Sequence, residues 1–165
     1  FVSALIVMLP SVGGVSAQEM GEWIAHFEEW SVFQYSEGGR SVCYMSSTPL
    51  DMEPKNVRRG LVYVEVAHDT GDGSRDVVSV IAGYTFAEGR AVVAVVDDQE
   101  FRMFTKVDRA WNGTTDQDAS MVQAMISGSR LTVLGYSNRG TETRDVYSLL
   151  GFTAAHEFIT EACGG

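Results

Sequence analysis

The sequence predicts a mainly β chain: an antiparallel β-sandwich or barrel-like domain with one short internal helix and a C-terminal helix. Three observations carry that prediction. Short stretches with period-two alternation recur at regular spacing between turn signals. Residues 115–127 switch to a helical period, and the chain does so again from Thr153 onward.

Residues 1–14 (FVSALIVMLPSVGG) are apolar and uncharged and lead into Val15-Ser16-Ala17 and then Gln18-Glu19. An apolar run before a small-residue cleavage site is the pattern of a secretory signal peptide. We therefore expect a signal peptide over 1–17, its basic n-region cut away, and one β domain over 18–165. Pro10 and the paired glycines leave too few apolar residues to span a bilayer. No later stretch is long and apolar enough to do so.

Residues 19–29 (EMGEWIAHFEE) place Trp23, Phe27 and Trp30 near i, i+4, i+7, which predicts a short amphipathic helix. Residues 30–35 and 41–47 read as a hairpin around Glu37-Gly38-Gly39. Residues 49–60, with two prolines and several charges, read as a connecting loop. In 61–67 (LVYVEVA), Val62, Val64 and Val66 share one face. A turn over 68–74 (HDTGDGS) separates that strand from the next, over 75–83. Residues 91–96 (AVVAVV) are apolar on both faces and read as central, and Asp97-Asp98 turns the chain into 99–106. Thr115, with Asp118 three residues on, resembles a capping box, and Val122, Met125 and Ile126 form the apolar stripe of a helix. Residues 130–137 and 143–150 make a last hairpin. Ala155, Phe158, Ile159 and Ala162 then mark the buried face of the closing helix, with Gly164 as its cap.

Twenty-two acidic against twelve basic side chains give a formal charge of −10. An acidic surface disfavours phosphate backbones, so nucleic acid is excluded as a partner. The two cysteines, Cys43 and Cys163, suit a disulfide in an exported chain. Closing a loop of ~100 residues is worth about 4.7 kcal/mol in the chain-entropy model.

No constellation for nucleophilic catalysis is present. His26, His68 and His156 are scattered, and no G-x-S-x-G elbow accompanies them. We assign no catalytic residue, cofactor or metal. Asp69, Asp72 and Asp76, around Gly71 and Gly73, come nearest to a calcium ligand set, but they lack the EF-hand spacing and read first as turn residues. Trp23, Trp30 and Trp111 read as core more readily than as a sugar platform.

Several segments, in order, resemble the invasion-associated locus B family of exported bacterial proteins. They are Arg59-Gly60 with Val62-Tyr63, residues 78–84 (VSVIAGY), Phe104-Thr105, and Asp108-Arg109-Ala110-Trp111. The longest set is Ser137, Arg139, Gly140, Thr141, Thr143, Asp145 and Tyr147, then 148–155 with Gly151 and Phe152, closing on Ala162-Cys163-Gly164. The resemblance implies an exported β domain that is periplasmic, outer-membrane-associated or secreted. It also implies contact with an envelope or host protein, and it supplies no catalytic residue. The residues themselves read as structural. Gly140 and Gly151 suit positive φ, and Asp145 shares a strand face with Thr143 and Tyr147, where Arg139 could pair with it or stay solvated. The expected function is a non-enzymatic envelope protein. The alternative is a periplasmic carbohydrate-binding module or hydrolase built on clustered carboxylates and exposed aromatics.

Overall fold

The computed structural model describes residues 21–163; the signal segment expected over 1–17 and the Gly164 cap lie outside the described residues. In chain order the first strands are β1 (Glu22–Phe27), β2 (Trp30–Glu37), β3 (Arg40–Ser47), β4 (Asp51–Glu53), β5 (Tyr63–Asp69) and β6 (Val77–Ile81). Then follow β7 (Val92–Val96), β8 (Gln99–Lys106), β9 (Arg109–Trp111), helix α1 (Thr115–Ser127), β10 (Arg130–Tyr136), β11 (Glu142–Ser148) and helix α2 (Phe152–Ala162). The strands form one antiparallel sheet, ordered β1-β2-β3-β5-β6-β9-β8-β7-β10-β11-β4, with β1 and β4 as open edges.

Alternation sets which face is buried. Val64 and Val66 of β5, Val78 and Val80 of β6, Leu131 of β10 and Tyr147 of β11 all turn inward. There they meet Met121 and Met125 of α1 and Phe152, Ala155 and Ile159 of α2. Each Val, Leu, Ile, Phe or Met side chain among them contributes about 1.5–3 kcal/mol on full burial. Trp30, fully buried, donates its Nε1–H to the Ser148 carbonyl at 3.1 Å and sets its ring edge-on to Phe152 at 4.9 Å. Those contacts carry the sheet around, so that β2 meets the end of β11.

The structure departs from the local expectations at six points. Residues 22–27 are strand, not helix: β1 pairs with β2 across a turn at Glu28, whose φ is +53°. Its aromatic spacing is coincidental, and Trp23 lies exposed on the sheet edge. The loop over 49–60 contains β4, which pairs with β11. Residues 109–111, to which the sequence pattern assigned no strand, form β9 between β6 and β8. The turn after β5 starts two residues later than its composition suggests, so His68 is a buried strand residue. Thr114, not Thr115, caps α1: its extended backbone lets Oγ1 accept from Gln117 N at 3.2 Å, and Gln117 Oε1 accepts from Gly113 N. On α2, Ala162 is exposed and Phe152 takes its place in the core.

Gly151 closes the switch from β11 to α2 in the left-handed region, at φ +89°. A Cβ there would sit 2.0 Å from the Phe27 carbonyl oxygen. Gly151→Ala combines left-handed strain with a backbone clash. We expect it to cost about 3 kcal/mol in urea unfolding, whereas Ala154→Gly, exposed on the same helix, should cost about 1 kcal/mol.

Candidate functional site

The longest family-like segment divides in two along its length. Its rear half, Tyr147 through Phe152, serves the core and the start of α2. From its front half, Ser137, Asn138, Arg139, Thr141 and Thr143 line a cleft of about 430 Å³ together with Arg58, Arg59, Gly83 and Tyr84.

The cleft floor rests on a buried ion pair. Arg59, in the segment between β4 and β5, reaches Asp145 on β11 through two parallel hydrogen bonds, Nη1 to Oδ1 at 2.6 Å and Nη2 to Oδ2 at 2.5 Å. The two side chains are 6% and 2% exposed. Nε of Arg59 donates to the Ala82 carbonyl at 3.0 Å, and the guanidinium lies over the Tyr84 ring at 5.1 Å. Burial alone would pull the Arg59 pKa down, but the bonds and charge of Asp145 outweigh it and leave the group more firmly cationic. The Tyr84 hydroxyl meets Thr143 Oγ1 at 2.6 Å. Burial raises its pKa, and Thr143 and Arg59 only partly offset the rise. Burial pushes the Tyr147 phenol up more strongly still, with the Asp145 charge adding to the effect. Each of these groups therefore holds one protonation state through the physiological range.

A backbone contact places Arg59 here. Gly60 N donates to the Gly83 carbonyl at 2.8 Å, and a Cβ on Gly83, whose φ is +70°, would strike the Gly60 backbone at 2.8 Å. The resemblance set contains both glycines, and this close approach explains them.

Above the floor the rim is cationic. Arg58 and Arg139 are exposed, and neither has a carboxylate partner among the described residues. Arg139 does not reach Asp145, whose two oxygens Arg59 occupies. Ser137 Oγ accepts from Arg139 N and Thr141 N, and Gly140 completes that turn at φ +82°. Of the singled-out residues, Arg139, Thr141 and Thr143 thus line the cleft, and Asp145 lies buried behind it on Arg59. Gly140 shapes its rim, while Tyr147, Gly151 and Phe152 support the fold behind it. Sequence reasoning missed Arg59 as the partner of Asp145, although its place beside Gly60 in the resemblance set was a usable signal.

The remaining candidates disperse. Asp69 pairs with Arg40 and accepts from Gly71 N; Asp72 accepts from Ser74 N and Oγ; Asp76 faces His68 and His156 instead. The three carboxylates are not brought together around the turn. Cys43 on β3 and Cys163 after α2 form a disulfide spanning 120 residues. Trp23, Trp30 and Trp111 lie on β1, β2 and β9 and make no common platform: Trp30 is core, and Trp111 leans on Phe104.

Among the described residues no helix is long and apolar enough to cross a membrane. No curated protein matches the chain. A crystal structure of invasion associated protein B from Bartonella henselae shares the fold, with a TM-score of 0.61 at 17% identity, covering 87% of this chain and 97% of that one. The model of the family described as invasion associated locus B (IalB) protein matches residues 30–160, which include every element from β2 to α2 apart from the last two residues of that helix. The chain belongs to the invasion associated locus B family.

Proposed function

We propose that this chain is an exported, non-enzymatic recognition domain of the cell envelope. Its cleft holds a carboxylate-bearing segment of a partner protein, of the envelope or of a host, between Arg58 and Arg139. The observation that carries this reading is the charge of the cleft. In a chain of net charge −10, the lining residues include three arginines and no acid, and the acid behind them is consumed by Arg59. Unpaired guanidiniums over a fixed aromatic and hydroxyl floor suit bidentate carboxylate capture. The same lining argues against catalysis. Ser137 Oγ is committed to its own turn, and none of the three histidines lines the cleft. The disulfide and the signal-like segment over 1–17 support export of a single domain over 18–165.

Crosslinking capture from native envelope fractions tests the proposal. Charge reversal with Arg58→Glu and Arg139→Glu should reduce the captured partner by about tenfold or more, and the wild-type signal should fall as salt rises. Capture indifferent to the reversal would contradict the reading. Hydrolysis of any member of a panel of envelope polymers would overturn its non-enzymatic part.

A further inference from the structure

A second constellation lies away from the cleft, where β5, the turn before β6, and α2 meet. His68, Asp76 and His156 each bring one metal-ligating atom within 4.8 Å of the others. Asp76 Oδ1 stands 3.1 Å from His68 Nε2 and 2.7 Å from His156 Nε2. The two imidazoles sit edge to face, 70° apart with centroids at 5.5 Å, so both nitrogens point at one spot while the rings diverge.

Each ligand is held from behind. His68 is 3% exposed and paired in register opposite Cys43, the strand residue of the disulfide. Phe152 stacks on His156, nearly parallel, and fixes its plane. Asp76 adopts a φ of +58°, rare for a residue other than glycine, and so aims its carboxylate at the histidines rather than outward. The side chains of Asp76 and His156 are 26% and 15% exposed, which leaves one side of the group open to solvent.

Two imidazole nitrogens converging on one carboxylate oxygen, from segments 8 and 80 residues away, make a donor set of two nitrogens and one oxygen. Zinc(II) takes such ligands at about 2.0–2.2 Å in a tetrahedron, which places ligand atoms about 3.3 Å apart. The two nitrogen–oxygen contacts, at 3.1 and 2.7 Å, lie within about 0.6 Å of that spacing, and all three ligand atoms fall within 4.8 Å of one another.

We propose that His68 Nε2, Asp76 Oδ1 and His156 Nε2 form a binding site for a divalent transition-metal ion of the zinc class. Water takes the fourth position on the solvent side. The ion fastens α2 to β5 and β6 beside the disulfide, as a second tether on the same helix. The disulfide in turn preorganises the site, because it sets where α2 lies.

Untagged full-length chain, stripped with chelator and titrated with cobalt(II) as the probe, gives the direct test. One equivalent should develop the intense visible absorption of a four- or five-coordinate ion, and zinc(II) should displace it. Zinc at a hundredfold excess over its Kd should raise Tm by about 5–10 °C. His156→Ala and, separately, Asp76→Asn should abolish both signals, with the near-ultraviolet circular dichroism of the folded chain retained. Asp76→Asn guards against a folding defect in the first variant, since it keeps the side-chain volume. No absorption and no Tm shift in the wild type would overturn the proposal. So would binding that survives both substitutions, because the ion would then sit elsewhere.

Discussion

Arg59→Met is expected to lower the free energy of unfolding by about 3–5 kcal/mol. The methionine matches the arginine stem but leaves Asp145, 2% exposed, as an uncompensated charge away from water. It also frees the Ala82 carbonyl and removes the cation over Tyr84. The double variant Arg59→Met with Asp145→Leu should recover most of the loss, because a buried ion pair is nearly neutral against an apolar replacement of similar size. Urea unfolding with unchanged m values would read both. A single-variant cost below about 1 kcal/mol would mean that water reaches the pair and that the cleft floor is not buried.

Removal of the disulfide ranks second. Cys43→Ser with Cys163→Ser opens a covalent loop of 120 residues. The chain-entropy model gives about 4.7 kcal/mol for a 100-residue loop, and measured losses for native disulfides run about 2–5 kcal/mol. Against a total stability of about 5–15 kcal/mol for an ordinary domain, that loss is enough to populate unfolded chain. The effect should centre on α2, whose other anchors are Phe152, Ala155, Ile159 and the contact of His156 with Asp76. Hydrogen exchange should show α2 amides opening first in the variant, while β10 and β11 keep their protection. Uniform loss across the sheet would show instead that the bridge stabilises the whole molecule rather than the helix.

Period and turn chemistry made most of the sheet legible. Val62, Val64 and Val66 are buried as their alternation requires, and the hairpin of β10 and β11 lies where its composition places it. What stayed hidden has identifiable causes. Strands β4 and β9 are three residues each, too short to show a period. Residues 22–27 carry aromatics that fit a helix, yet pairing with β2 outweighs that local preference. Side-chain pairings were hidden by distance along the chain. Arg59 lies 86 residues from Asp145, and His156 lies 80 from Asp76. Nothing local marks Asp145 as the partner of one arginine rather than another, so Arg139, six residues away and in the same motif, was the natural candidate. The turn acids misled for the opposite reason. Their closeness in sequence suggests convergence, but alternation and the twist of the turn send Asp69, Asp72 and Asp76 to separate partners.

In the proposed function, the arginine-rimmed cleft is where this chain meets its partner. Site-specific photocrosslinking in living cells tests it most directly, with the photoreactive residue placed at Asn138 on the rim and, as a control, at Glu157 on the outer face of α2. A discrete adduct is expected from position 138 that disappears with Arg58→Glu and Arg139→Glu, and none from position 157. Adducts from 157 alone, or an adduct at 138 that ignores the charge reversal, would contradict it.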